Sequence, residues 1–267
     1  NFCDHVELVT AIGKHDNKEE LIRERLRPNI LPKFFYYGQA PTIVKRRFLD
    51  SAYFNKLFEI YICDDSLAIE LEDQMGDYIA DALQKRSYDL VLVLDYGHGL
   101  LTPKLINLLC SSHVFLAVNA QTNAANMGFN LIIKYRRANY FCLDIPELRL
   151  AFQDKHSDLE KLIKELAQNV SLPGAVCVTL GPCGAIAYNP EDKTMFNIPV
   201  LSQNIVDTTG AGDTFFSITA PCVTKGLPSD LVGFIGNAAG ALAVTIVGNR
   251  ESVGTAQLLK FITALLK

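Results

Sequence analysis

Residues 206–217, with the sequence VDTTGAGDTFFS, place glycines and acids directly ahead of an apolar run that is typical of a helix. Gly210 and Gly212 allow positive φ angles and let the backbone approach a ligand closely. The first amides of a helix have no intrahelical partner, and the positive end of the helix dipole lies behind them. The segment could therefore stabilise a phosphate, or charge that develops on a phosphate.

Asp213 closes this glycine segment and suggests the reaction. A carboxylate would repel a bound phosphate, but beside an anion hole it could take a proton from an incoming hydroxyl. The segment therefore predicts phosphoryl transfer to an alcohol, with Asp213 as the general base. The backbone amides of Gly210, Ala211 and Gly212 would form the anion hole. The alternative is a glycine-rich turn in which Asp213 caps the following helix.

The elements that must position this segment alternate between strands and helices. Apolar strands are predicted at 6–13, 89–99, 114–119, 140–144 and 175–181, and helices at 17–26, 65–86, 102–112, 158–170, 211–225, 229–247 and 255–266. This alternation is typical of a parallel sheet covered by helices on both faces. Ligands of such sheets bind beyond the carboxyl ends of the strands, where DYGHG, VNAQTN, CLDIPE and TLGPCG fall. The runs 184–189 and 194–200 predict a short antiparallel addition.

A separate half-exposed sheet is predicted from the runs 41–50 and 56–62, which mix polar and apolar positions. Lys45 and Arg47 alternate along the first run and therefore share one face. Two cations on one face could hold the phosphate of a sugar phosphate. Alternatively, they protect an edge strand against aggregation. Arg46 lies on the other face, where we expect it to be solvated.

The composition excludes several classes of protein. The chain has 267 residues, of which 49% are hydrophobic and 20% are charged, so it is globular. A net charge of −4 gives no sign of a nucleic-acid partner, and no apolar run reaches the roughly 18 residues of a membrane span. The seven scattered cysteines predict free thiols in a reducing cytoplasm. The start without methionine, close to an apolar run, predicts that the chain is a piece of a longer multidomain protein.

The segment DTTGAGD closely resembles the C-terminal signature of the ribokinase-like (PfkB) family of carbohydrate kinases. VTLGPCGAIAY resembles the family's strand-turn-strand before the nucleotide site, and GNAAGALAVTIVG resembles its helix beside the adenine. The resemblance extends from about residue 6 to the end. It implies one kinase domain over 1–267: a three-layer α/β sandwich with a mostly parallel central sheet, helices on both faces and a small β lid at about 36–62.

The resemblance also implies ATP and Mg²⁺ as cofactors and assigns residues to them. The nucleotide-binding residues would be Asn119, Thr179, Gly181, Gly184 and Asn237. CLDIPE is similar to the family's Asn-x-x-Glu element, so Asp144, in place of Asn, and Glu147 would hold magnesium through water. The carbonyl groups of Asp207 and Thr209 would hold a monovalent cation, which we expect to be K⁺.

Within the family, the best match is the kinase domain of heptose 7-phosphate kinases. DYGHGLLT resembles their Asp-Tyr-Gly-Lys-Gly element, with His98 in place of Lys, and PTIVKRRF resembles a strand of their substrate lid. A loop position without function is the alternative for His98. The resemblance implies a small-molecule sugar or sugar-phosphate acceptor, bound through Lys45, Arg47 and Asp95. It also implies homodimers formed through the lid.

Two family features are missing from the N-terminal part: the sugar-binding aspartate and the Gly-Gly-Asn motif. The sequence also has no GxxxxGK[ST] loop, so nucleotide would not be held in the Walker manner. Two alternatives to a heptose phosphate kinase therefore stay open. The chain could be a non-catalytic nucleotide-binding module of a larger protein, or a kinase for ribose, fructose or a nucleoside.

Overall fold

The computed structural model describes residues 1–50, 56–63, 68–169, 174–202 and 204–267. These residues form two compact units. The larger unit comprises Asn1 and residues 87–96 and 109–267, and the smaller unit comprises residues 2–86 and 97–108. In the described part of the chain, no helix combines the length and the apolar character that crossing a membrane requires.

The smaller unit contains a parallel pair of strands, β1 (Val6–His15) and β2 (Ile30–Pro41). The first was predicted, whereas β2 was missed because Pro32 and Gly38 interrupt its pattern. Helix α1 (Glu19–Arg25) connects them, and Asn17 Oδ1 accepts the amide of Glu19 at 3.0 Å. The helix is shorter at both ends than the predicted 17–26, and Lys18 occupies its N-cap position.

Helix α2 (Ala68–Lys85) packs on this pair of strands through the predicted apolar face. Leu71 and Met75, one turn apart, are buried in a cluster with Phe35 and Tyr37 of β2. Leu67 was expected on the same face and lies outside the described residues. Helical spacing of apolar residues therefore places α2 correctly.

Strands β3 (Val44–Leu49) and β4 (Lys56–Ile62) form an antiparallel sheet of their own, as predicted. The pairing places Lys45 opposite Tyr61 and Arg47 opposite Glu59. These side chains share one face, since residues two apart on a strand point the same way. Arg46 lies on the opposite face and is exposed, as expected.

The larger unit is built on a sheet that has six strands in its described part, in the order β10-β9-β8-β7-β6-β5. The parallel strands are β5 (Leu90–Asp95), β6 (Phe115–Ala120), β7 (Tyr140–Asp144) and β8 (Ala175–Thr179). The antiparallel addition consists of β9 (Ala185–Asn189) and β10 (Thr194–Ile198). The predicted mostly parallel sheet with an antiparallel extension is therefore confirmed.

The larger unit also contains the helices α4 (Ile145–Phe152), α5 (Leu159–Gln168), α6 (Ala211–Thr224), α7 (Ser229–Ala243) and α8 (Thr255–Leu265). The residues of α3 (Pro103–Ser111) divide between the two units. Tyr140 and Cys142 of β7 pack with Phe215 and Phe216 of α6. Phe141 lies between these two residues on β7, so its side chain points to the opposite face of the sheet, where it is also buried. Both faces of the central strand are thus covered, as the apolar runs predicted.

Helix α7 ends at Ala243, four residues before the predicted position 247. The carbonyl oxygen of Val244 accepts the amides of Val206 and Asp207, at 2.9 and 3.0 Å. Gly248 then takes a positive φ of 62° within a short 3₁₀ turn. A long-range contact to the loop before α6 therefore accompanies the end of this helix.

Candidate active site

The glycine segment forms the start of α6, as predicted. Gly210 occupies the N-cap position with a φ of 76°, a left-handed conformation that favours glycine. A Cβ atom added at Gly212 would meet no described atom within 4 Å, so the space beside this residue is open. The amide of Ala211 donates to Thr208 O at 3.2 Å. A ligand could approach the helix start most closely at Gly212.

Asp207 fixes the loop that leads into this helix. Its Oδ1 accepts the amide of Thr209 at 2.9 Å, and its Oδ2 accepts the amide of Gly248 at 2.8 Å. The side chain thus binds backbone on two segments. The assignment of the Asp207 and Thr209 carbonyl groups to a monovalent cation stays a prediction.

Asp213 lies in the first turn of α6, where its carboxylate meets two donors that sequence reasoning missed. Gln121 Nε2 donates to Asp213 Oδ1 at 2.8 Å, and the hydroxyl of Tyr96 lies 3.5 Å from the same oxygen. Both donors belong to the polar stretches VNAQTN and DYGHG, at the ends of β6 and β5. Since β5 and β6 are parallel neighbours, their shared carboxyl edge was the signal that could have identified both residues.

Asp144 and Glu147 cap helix α4 reciprocally. Asp144 Oδ1 accepts the amide of Glu147 at 2.8 Å, and Glu147 Oε2 accepts the amide of Asp144 at 2.9 Å. Glu147 Oε1 accepts the amide of Thr122 at 3.1 Å. Burial raises the pKa of Glu147 to about 7, and the charges of Asp144 and Asp213 add to this shift. Burial also raises the pKa of Asp144.

Several features of these residues fit a magnesium ion and phosphate groups. Asn119 Oδ1 and Thr122 Oγ1 are buried and have no hydrogen-bond partner among the described residues, although Asn119 Nδ2 donates to Cys142 O at 2.8 Å. Buried polar atoms are normally paired, so such oxygens indicate a missing partner. The described residues contain no group of three or more acidic, histidine or cysteine side chains arranged to bind a metal directly. The oxygens of Asn119 and Thr122 that lack partners are compatible with a cation bound through water.

The other predicted nucleotide residues have structural contacts. Thr179 ends β8 opposite Asp144, and Gly181 is exposed in the following turn. Gly184 has a φ of 98°, and a Cβ atom there would lie 2.0 Å from Ile198 O, so close backbone packing requires glycine. Asn237 Nδ2 donates to the carbonyl oxygens of Ile198 and Pro199, which ties α7 to the end of β10. The nucleotide roles of these residues stay predictions.

Asp95 is buried, with only 4% of its surface exposed. Its Oδ2 accepts the hydroxyl of Tyr135 at 2.8 Å and pairs with Lys134 Nζ at 2.5 Å. A substrate would have to share the carboxylate with these two side chains. The substrate role of Asp95 therefore stays a prediction.

The predicted substrate cations lie in the smaller unit. Lys45 Nζ lies 5.0 Å from the centre of the Tyr61 ring, on the same face as Arg47. Arg47 Nε pairs with Glu59 Oε2 at 2.5 Å, which counters the charge available for an anion. The His98 ring lies 6.2 Å from that of Tyr61. The substrate roles of Lys45 and Arg47 stay predictions.

The sequence of this chain is similar to a known protein family and to individual known proteins. Residues 115–256, more than half of the chain, match the family described as pfkB family carbohydrate kinase. A bifunctional protein HldE from Geotalea uraniireducens is 25% identical over 69% of the chain, and one from Histophilus somni is 23% identical over 95%. The chain spans 37% and 51% of the length of these two relatives.

The fold is also that of solved structures. A ribokinase from Thermotoga maritima superimposes with a TM-score of 0.72 over 96% of this chain and 81% of its own, at 19% identity. Phosphofructokinase-2 from Escherichia coli superimposes with a TM-score of 0.76 over 98% of this chain and 83% of its own, at 14% identity. The expected ribokinase-like fold is therefore confirmed. Since the family match covers more than half of the chain, including strands β6–β10 and the glycine segment, this chain belongs to the pfkB family of carbohydrate kinases.

Proposed function

We propose that this chain is an ATP-dependent kinase that phosphorylates a hydroxyl group of a sugar or sugar phosphate. The observation that carries the proposal is the placement of Asp213 in the first turn of α6, beside the open space at Gly212. A base beside the first amides of a helix is an arrangement that suits phosphoryl transfer to an alcohol.

Asp213 takes the proton of the acceptor hydroxyl in the proposed reaction. The acceptor oxygen then forms a bond to the γ-phosphorus of ATP, and the bond from that phosphorus to the bridging oxygen breaks. The electron pair of the broken bond leaves with ADP. The amides of Gly210 and Gly212, with a smaller share from Ala211, stabilise the charge on the transferring group.

Asn119, Thr179, Gly181, Gly184 and Asn237 are proposed to line the nucleotide site. Magnesium neutralises phosphate charge when it is bound, and Asp144 and Glu147 would hold it through water. The two oxygens of Asn119 and Thr122 that lack partners support this placement. The carbonyl groups of Asp207 and Thr209 are the proposed site of a K⁺ ion beside the anion hole.

A heptose 7-phosphate is the acceptor that we favour. The relatives named HldE support it. Lys45 and Asp95 are the proposed substrate contacts, with Arg47 contributing if its pair with Glu59 opens. Ribose, fructose and nucleosides are the competing acceptors, because solved structures of the same fold include a ribokinase, phosphofructokinase-2 and a nucleoside kinase.

The sheet of β3 and β4 is the proposed lid of a single kinase domain over 1–267, and its outer face is the proposed dimer interface. Opposite the face of Lys45, it exposes Phe48, Phe58, Ile60 and Ile62. Exposed apolar side chains that form one face are typical of an interaction surface. We further propose that the protein is cytoplasmic, as its seven scattered cysteines suggest.

Transfer of labelled γ-phosphate from ATP tests the proposed function. The full chain is incubated with MgATP and a panel of heptose 7-phosphate, fructose 6-phosphate, ribose and inosine. We expect heptose 7-phosphate to be labelled by the wild-type chain and not by Asp213→Asn. Thermal stabilisation by MgATP should survive in that variant. Stabilisation by MgATP without labelling of any acceptor would instead favour the non-catalytic module.

A further inference from the structure

Gln121 follows β6 and is held through its backbone. Its amide donates to Asp95 O at 2.8 Å, and its carbonyl oxygen accepts from Asn130 Nδ2 at 3.0 Å. Neither bond involves Asp213, so the position of Gln121 is set independently of the carboxylate. From there its Nε2 donates to Asp213 Oδ1 at 2.8 Å. Since carboxylate oxygens only accept, the side chain must present its NH₂ group to Asp213.

Side chains of the loop that contains Gln121 also hold the backbone of Tyr96. Nδ2 of Asn123 and Nδ2 of Asn126 each donate to the carbonyl oxygen of Tyr96 at 2.9 Å. Its hydroxyl donates to Asp213 Oδ1 over a longer distance of 3.5 Å. Burial and the charge of Asp213 raise the pKa of Tyr96, so the hydroxyl stays protonated and remains a donor at neutral pH.

We propose that Gln121, assisted by Tyr96, is a positioning residue that orients the Asp213 carboxylate and favours its ionised form. Gln121 has this role in catalysis only if the proposed function holds, because it acts through the general base. A hydrogen bond donated to a carboxylate stabilises the charged form. Glu147 interacts electrostatically with Asp213 from a neighbouring element, and its negative charge opposes the ionisation of Asp213. Burial raises the pKa of the Cys142 thiol, which therefore stays neutral. The donor of Gln121 counters that opposition.

Gln121→Met tests the proposal because it keeps the length of the side chain and removes its donor. In the full chain, we expect kcat for the best acceptor of the sugar panel to fall about tenfold or more, with the KM for ATP unchanged. Gln168→Met makes the same exchange at the exposed end of α5 and should keep the wild-type kcat. Gln121→Glu has the size of the native residue and serves if the Met variant does not fold.

The pKa of Asp213 provides a readout that needs no turnover. It is followed by NMR of the chain labelled with ¹³C at aspartate carboxyl groups, and the signal is assigned by its loss in Asp213→Asn. We expect the pKa of Asp213 to rise in both Gln121 variants and to stay at the wild-type value in Gln168→Met. If the wild-type chain phosphorylates no acceptor, the proposed function fails, while this titration still decides whether Gln121 governs the carboxylate. An unchanged pKa in both Gln121 variants overturns the proposal, as does a raised pKa with wild-type kcat.

Discussion

The carboxylate of Asp207 joins the loop before α6 to the turn after α7, through Thr209 and Gly248. The two amides lie 2.9 and 2.8 Å from its oxygens. Asp207→Ala leaves both amides without a charged acceptor, and we expect the free energy of unfolding to fall by about 2 kcal/mol. Urea denaturation measures the change, with Asp4→Ala, at an exposed position, as the control. Equal losses in the two variants would show that these bonds add nothing to stability.

Gly212 can be tested for contact with phosphate by adding a methyl group. Because a Cβ there meets no described atom within 4 Å, Gly212→Ala should fold normally and gain up to about 1 kcal/mol of helix propensity. The methyl group would fill the space where the transferring phosphate is proposed to lie. We therefore expect the affinity for MgATP to fall about tenfold or more by calorimetry. Gly76→Ala makes the same change in α2, where a Cβ meets only the end of the Leu105 side chain at 3.6 Å, and should bind MgATP as the wild type does.

Alanine substitutions at Gly184 and Gly181 distinguish a steric requirement for glycine from a requirement for a positive φ angle. Both have positive φ, at 98° and 57°, but only a Cβ at Gly184 would meet backbone, 2.0 Å from Ile198 O. Gly184→Ala should therefore destabilise the protein by about 3 kcal/mol or more, and Gly181→Ala by about 1 kcal/mol. Thermal unfolding of the two variants measures the difference between their losses of stability. Similar melting temperatures would mean that the turn relaxes around the added methyl group.

The raised pKa of Glu147 predicts a pH-dependent stability. Its folded-state pKa of about 7 exceeds the ordinary value of 4.5, so the protonated group favours folding below pH 4.5 and this contribution is lost as the pH rises through 7. Between pH 5 and pH 8, the wild type should lose about 2 kcal/mol more stability than Glu147→Gln, which cannot ionise. Urea denaturation without nucleotide and with a chelator measures both profiles.

The control for this profile is Glu251→Gln, at an exposed position. It should follow the wild-type pH dependence throughout. Parallel profiles for Glu147→Gln and the wild type would contradict a raised pKa at Glu147.

The proposed dimer interface predicts a change of oligomeric state. Phe58 and Ile60 expose 52% and 43% of their surfaces on the outer face of β4. Ile60→Lys would place a charge in the proposed interface, where its desolvation is unfavourable. We expect the wild-type dimer to become a monomer in sedimentation velocity. Ile69→Lys, on α2 with 81% of its surface exposed, should leave the dimer intact, and a monomeric wild type would refute the interface.

Local patterns predicted the elements of the sheet better than the contacts at its edge. Strand β7 occupies the predicted residues 140–144, because a buried parallel strand is apolar at every position. The partners of Asp95 and Asp213 were not predicted. Tyr135 and Gln121 are distant in the sequence from the carboxylates they bind, and only the order of the strands brings each pair together. The pairing of Arg47 with Glu59 likewise depends on the register of β3 and β4.

The tie between Val244 and the loop before α6 consists of backbone atoms alone. The carbonyl oxygen of Val244 accepts the amides of Val206 and Asp207, so no side chain carries the connection. The exposed side chain at position 206 can therefore change freely without moving the entry to α6. Proline is the exception at either donor position, because it has no amide hydrogen to give. A library of variants at position 206 should tolerate every residue except proline.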